Sequence, residues 1–157
     1  MKTEDAVEVV MKALKLSPDV RQHFVLIRGI PGSGKSTLAR ALCAAWPDSV
    51  HCEADDYHMV NGVYAWDPAK VRHAHSWCQT KAAEAADAGR SLIVVSNTFT
   101  QLWEMNTYIK LALDAKAGLH VVARDLSVNF GNIHSVPEDS IAKMRERWQE
   151  FPGEMII

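Results

Sequence analysis

The segment GIPGSGKST, residues 29–37, sets Gly29, Gly34, Lys35 and Ser36 at the spacing G-x-x-x-x-G-K-[ST]. A loop of this kind is built to wrap phosphate. Its glycines let the backbone turn N–H groups inward, and a helix beginning near Lys35 adds its positive end at the same place. The lysine can reach β- and γ-phosphates, and the serine hydroxyl can complete a Mg²⁺ coordination shell. The expected nucleotide set is therefore Gly29, Pro31, Gly32, Ser33, Gly34, Lys35, Ser36 and Thr37, with ATP or another nucleoside triphosphate and Mg²⁺ (on Ser36) as cofactors. These residues leave open whether water, a small molecule or a hydroxyl on something larger receives the terminal phosphate.

A second acid is expected near such a loop, because many phosphate-loop proteins end a neighbouring strand in an aspartate that supports Mg²⁺. The best candidate strand, SLIVV, ends instead in Ser96, Asn97 and Thr98. The acids picked out at a strand end are Asp55 and Asp56, after SVHCEA. In a parallel sheet that position shares the carboxyl edge with the phosphate loop, where ligands bind. A carboxylate there can take the proton of an attacking hydroxyl; the competing reading is a solvated turn and helix cap.

Downstream, KVRHAHSWCQ puts Lys70, Arg72, His73, His75 and Trp77 within two helical turns, with Tyr57, Tyr64 and Trp66 just upstream. Cations interleaved with aromatics can hold a phosphodiester backbone while a ring stacks on a base. Packing of Trp66 and Trp77 into a core or lid is the equal alternative. His73 and His75 are two apart and face different directions on a helix, so no shared metal is expected.

The elements that must position these groups alternate. Helix is expected over 3–16, strand over 23–29, helix over 35–46 and strand over 49–54. After an Asn61-Gly62 turn come a long helix to Gly89, a strand over 91–97, a helix over 100–117 and a strand over 119–124. A last helix runs from Pro137 to about Trp148. Such alternation implies parallel pairing with right-handed crossovers, hence a three-layer α/β phosphate-loop NTPase fold around a small parallel sheet. With 157 residues, one domain spanning 1–157 is expected. A net charge of −2 gives no global nucleic-acid footprint, so any polyanion must meet a local patch. Three cysteines at no metal-ligand spacing suit a reducing cytoplasm, and no apolar run approaches a membrane span.

Taken in order, GIPGSGKST, EADDYHMVNGVYAWDPAK, AHSWC, VVSNTF and GNIHSVPEDSIAKM resemble the small kinases related to the kinase domain of bacteriophage polynucleotide kinase. The likeness extends to their short stand-alone phage relatives, including hydroxymethylpyrimidine DNA kinases, and covers about residues 23–150. It implies that Asp55, first acid of D-D-Y, is the general base, that Lys35 binds phosphate and that Ser36 holds Mg²⁺. It also implies nucleic acid, DNA before RNA, for the substrate; with the patch above, the candidate contacts are Asp56, Tyr57, His58, Trp66, Arg72, His75, Asn97 and His134.

Three departures from the family pattern bear on the acceptor. The arginine that follows D-D-Y and reads a substrate phosphate is His58 here. The D-x-N group is Ser96-Asn97-Thr98, and the lid segment NFGNIHSVP, residues 129–137, contains no arginine. A lid arginine neutralises the transferred phosphoryl group, so another cation is expected: Arg124 first, then Arg72 and Arg145. His134 is expected either to donate to phosphate or to pack and cap. Loss of the phosphate-reading arginine favours, narrowly, the hydroxymethyl group of a modified pyrimidine (5-hydroxymethyluracil) over a 5′-hydroxyl end. An ATPase switch and a small-metabolite kinase are the alternatives of other classes.

Overall fold

The computed structural model describes residues 1–127, 130–131 and 134–157. A five-stranded parallel sheet is built from β1 (His23–Arg28), β2 (Ser49–Cys52), β5 (Leu92–Asn97), β6 (Gly118–Ala123) and β7 (Met155–Ile156). Their order across the sheet is β2-β5-β1-β6-β7. The central strands are continuous apolar runs because helices cover both faces. Phe24, Val25, Leu26 and Ile27 are all fully buried, and so are Leu92 to Val95.

Alternation along those strands splits the core in two. Val25, Ile27, Leu92 and Val94 face α1 (Thr3–Lys15) and α2 (Lys35–Ala45), while Phe24, Leu26, Ile93 and Val95 face α3 (Val71–Asp87) and α4 (Asn106–Asp114). This is the expected three-layer α/β fold. Helix α1 buries Ala6, Val10 and Leu14 along one face, with Val9 half-buried beside them. Among the described residues no helix is long and apolar enough to cross a membrane.

The segment between β2 and α3 carries structure of its own. A 3₁₀ turn (Ala54–His58) leads into a two-stranded hairpin, β3 (Met59–Val60) and β4 (Val63–Tyr64). Asn61 and Gly62 have φ of 50° and 79°, the left-handed pair that a tight hairpin turn requires. Helix α3 is opened by Asp67, whose side chain accepts from Ala69 N at 2.9 Å, with Pro68 following it.

Several boundaries move. Strand β2 stops at Cys52 rather than residue 54, and the segment expected as helix over 100–117 begins as a 3₁₀ turn (Leu102–Met105) before α4. Helix α5 (Glu138–Glu146) ends two residues early. Strand β7, with two residues, has no periodicity to announce it; it is held by Ile157 N donating to Ala123 O at 3.0 Å. Arg28, the residue before the phosphate loop, is fully buried and pairs with Glu154 at 2.9 Å. Its Nε also donates to Phe99 O at 3.0 Å, tying the loop's root to the neighbouring strand end.

Candidate active site

Gly34, at φ 88°, closes the phosphate loop and starts α2 at Lys35, so the loop amides and the helix's positive end face one cleft. A Cβ on Gly29 would collide with Ser33 Oγ, and one on Gly34 would lie 3.3 Å from Arg124 Nη2. The loop is thus packed tightly from behind. In front lies a cleft of about 590 Å³ walled by Pro31, Gly32, Gly34, Lys35, Ser36 and Thr37 on the nucleotide side. Asp55, His58, Tyr64, Trp66, His75, Asn97 and His134 wall the rest.

Lys35 Nζ donates to Ile30 O at 3.1 Å. Burial lowers its pKa to about 8, opposed by Glu53 and Asp55. The folded lysine gives up its proton near pH 8, and the unfolded one near 10.5. Stability therefore rises with pH between those values, where the unfolded chain binds more protons. A polyphosphate beside Nζ favours the ammonium, so nucleotide binding is expected to take up a proton at about pH 8.5. Calorimetry in two buffers of different ionisation enthalpy measures that uptake, and Lys35→Met is expected to abolish it.

Asp55 sits on the 3₁₀ turn after β2 with its side chain half-exposed in the cleft. Tyr64 Oη donates to Asp55 Oδ1 at 3.4 Å, and His134 Nε2 lies 3.7 Å from Oδ2. The His134 and Tyr64 rings stack at 3.9 Å between centroids, joining the lid to the hairpin beside Asp55. Of the lid segment, residues 129, 132 and 133 lie outside the described residues. Asn97 Oδ1 accepts from Ala54 N at 3.0 Å and fixes the backbone that leads to Asp55.

Some expected contacts fall elsewhere. Asp56 is exposed and, with Tyr57 and Arg72, stands off the cleft wall; Tyr57 packs against Trp77 at 5.9 Å. His58 lines the cleft but is buried, edge-on to Tyr64 at 6.0 Å, and its Nδ1 has no hydrogen-bond partner among the described residues. Trp77 packs on the core whereas Trp66 is 57% exposed at the cleft rim, so the two tryptophans divide the alternatives between them.

Arg124 requires a correction. Expected as the cation at the transferred phosphate, it stands off the cleft wall. It is buried behind the loop, where Nε donates to Ser33 O at 2.9 Å and Nη2 to Met1 O at 3.3 Å. Asp125 accepts from Ser127. The strand end that carries Arg124 aims it at the loop's backbone, which gives it a bracing position. Arg124→Ala leaves the buried Ser33 carbonyl unpaired, at about 2 kcal/mol. Thermal unfolding is therefore expected roughly 5 °C lower, with weaker nucleotide binding. A group acting only in the transition state would lower kcat and leave that binding unchanged. Arg145 reaches Leu126 O at 3.5 Å and is also off the cleft.

Two cleft residues escaped the sequence reading. Arg40 is an exposed cation on the wall, four residues after Ser36 and so on the same face of α2. Glu53 is buried and accepts a hydrogen bond from Ser36 Oγ. Its signal was its position, the first residue beyond β2, which the adjacent acid pair obscured. The donor chemistry suits Mg²⁺: a loop hydroxyl and a buried carboxylate in contact, with Asp55 nearby.

A phosphate loop at the carboxyl edge of a β2-β5-β1-β6-β7 parallel sheet, with an acid-bearing turn after β2, defines a P-loop kinase fold. The family model described as AAA domain matches residues 24–129, and the chain belongs to that family. It is 39% identical over 141 residues to human NEDD4-binding protein 2, an alignment covering 85% of this chain and 8% of that protein. The chain therefore spans only a small part of this relative's length. Among solved structures it is similar to a Pnkp1/Rnl/Hen1 complex, at TM-score 0.54 and 19% identity over 79% of this chain and 39% of that one. It is similar too to the Mycobacterium tuberculosis APS kinase CysC with AMPPNP and APS, at TM-score 0.54 and 18% identity over 88% of both chains.

Proposed function

We propose that this protein is an ATP- and Mg²⁺-dependent kinase that moves the γ-phosphoryl group to a hydroxyl on nucleic acid. The narrowly favoured acceptor is the hydroxymethyl group of a modified pyrimidine, 5-hydroxymethyluracil, in phage DNA; the alternative is a 5′-hydroxyl end. Lys35 and the loop amides hold the phosphates, and Ser36 serves the Mg²⁺, which when bound neutralises the developing charge on the phosphate oxygens. The Asp55 carboxylate accepts the proton of the acceptor hydroxyl as its oxygen bonds to the γ-phosphorus and the bridge to the β-phosphate breaks, releasing ADP. Arg40 is the cation on the cleft wall best placed to serve where the lid lacks an arginine.

The observation that carries a nucleic-acid acceptor is the rim. Trp66 and His75 line the cleft, and exposed Lys70, Arg72 and His73 stand in the same segment off its wall, so a stacking ring at the cleft adjoins a basic surface. The modified base is favoured because the position after D-D-Y holds a buried histidine, His58, in place of the arginine that would read a terminal phosphate. Trp66 and Tyr64 offer rings to a flipped base, whose extrusion costs a few kcal/mol.

A small-metabolite acceptor is the second reading, favoured by the His134–Tyr64 stack that narrows the entrance beside Asp55. Labelled ATP offered with hydroxymethyluracil DNA, a 5′-hydroxyl oligonucleotide and unmodified end-blocked DNA separates these. Label on the first is expected; label on none, with unchanged ATP consumption, rejects nucleic acid as acceptor.

A further inference from the structure

Phosphate-loop proteins commonly pair the loop hydroxyl with an aspartate at the end of the neighbouring strand. Here that strand is β5, and Ser96 near its end offers only a hydroxyl, held 2.6 Å from His51 Nε2. One strand further out, Glu53 follows the end of β2 with its side chain 9% exposed. Oε1 accepts from Ser36 Oγ, the loop hydroxyl itself. Oε2 lies 4.0 Å from His51 Nε2.

The carboxylate is buried, touches the loop hydroxyl and shares the cleft with Lys35 and Asp55, so it stands where a loop-bound cation would be held. Reach is shown by the contact itself, since Oε1 meets Ser36 Oγ from the strand beyond β5.

We infer that Glu53 is the second protein group of the magnesium site, supplying from β2 the carboxylate that the end of β5 lacks. The inference rests on residues 29–37 being a nucleotide–Mg²⁺ loop. Mg²⁺ keeps several waters and takes one or two carboxylates beside phosphate oxygens, so Glu53 is a ligand either directly or through one such water.

The test is equilibrium binding of a non-hydrolysable ATP analogue to the intact chain, with Mg²⁺ or with a chelator. Wild type is expected to bind more tightly with Mg²⁺. Glu53→Gln, which keeps the volume and an acceptor for Ser36, is expected to retain Mg²⁺-free affinity. It is expected to lose about 10–100-fold of the Mg²⁺ enhancement, the usual cost of disturbing a metal's surroundings. An undiminished enhancement in Glu53→Gln overturns the inference. Equal loss of binding with and without Mg²⁺ in both Glu53→Gln and the charge-keeping Glu53→Asp also overturns it, since the residue is then structural. No binding by wild type in either condition defeats the nucleotide reading itself, a result distinct from the other two.

Discussion

Replacing Lys35 by alanine is expected to reduce phosphoryl transfer by on the order of a thousandfold, the scale for removing one preorganised charge from a transferring group. Arg40, the other long cation found on the cleft wall, sits a helical turn beyond the loop and cannot take its place beneath the β- and γ-phosphates. Affinity for nucleotide is expected to fall with the rate, because Nζ meets phosphates already charged in the ground state. The fold is expected to survive, since the ammonium is desolvated, at a cost to the free protein, and it donates to one loop carbonyl, Ile30 O. Transfer rates and thermal unfolding of the Lys35→Ala protein check both halves. Undiminished transfer in a folded variant removes the nucleotide site from residues 29–37.

Asp55→Asn is expected to cost roughly a hundredfold or more in transfer rate with nucleotide affinity almost unchanged, as for loss of a general base. The amide keeps the size and can still accept from Tyr64, yet it cannot take the acceptor's proton. Asp56→Asn is expected to do little, because that side chain is exposed and off the cleft wall. The adjacent pair thus forms an internal control for charge and stability. A larger defect in Asp56→Asn than in Asp55→Asn shifts the base by one residue. Rates under single turnover, with nucleotide affinity measured separately, distinguish the outcomes.

The phosphate loop and the layered fold were legible because local rules and global fold agree there. The β1 run HFVLIR, the glycines and the helix-forming KSTLARALCAA each specify one conformation. Asp55 follows from sheet-edge position and Asn97 and His134 from the family resemblance, and all three line one cleft. What failed depends on direction rather than position. Arg124 stands at a strand end as expected, but its side chain folds behind the loop to satisfy Ser33 O. Tyr57 and Arg72 lie in the right segment and point away from the cleft. Glu53 was hidden because a strand boundary two residues in error turned attention to the more conspicuous acid pair. Strand β7 depends on pairing with β6, 33 residues away in register, which no local pattern encodes.

On the function proposed above, a nucleic-acid hydroxyl rather than water receives the γ-phosphate. The fate of that phosphate in a single turnover tests it most directly: γ-labelled ATP, excess protein and Mg²⁺, with and without hydroxymethyluracil DNA or a 5′-hydroxyl strand. The expected result is label on the nucleic acid in excess of free phosphate, dependent on Asp55. Label recovered wholly as inorganic phosphate, at a rate indifferent to nucleic acid and to Asp55→Asn, contradicts the account.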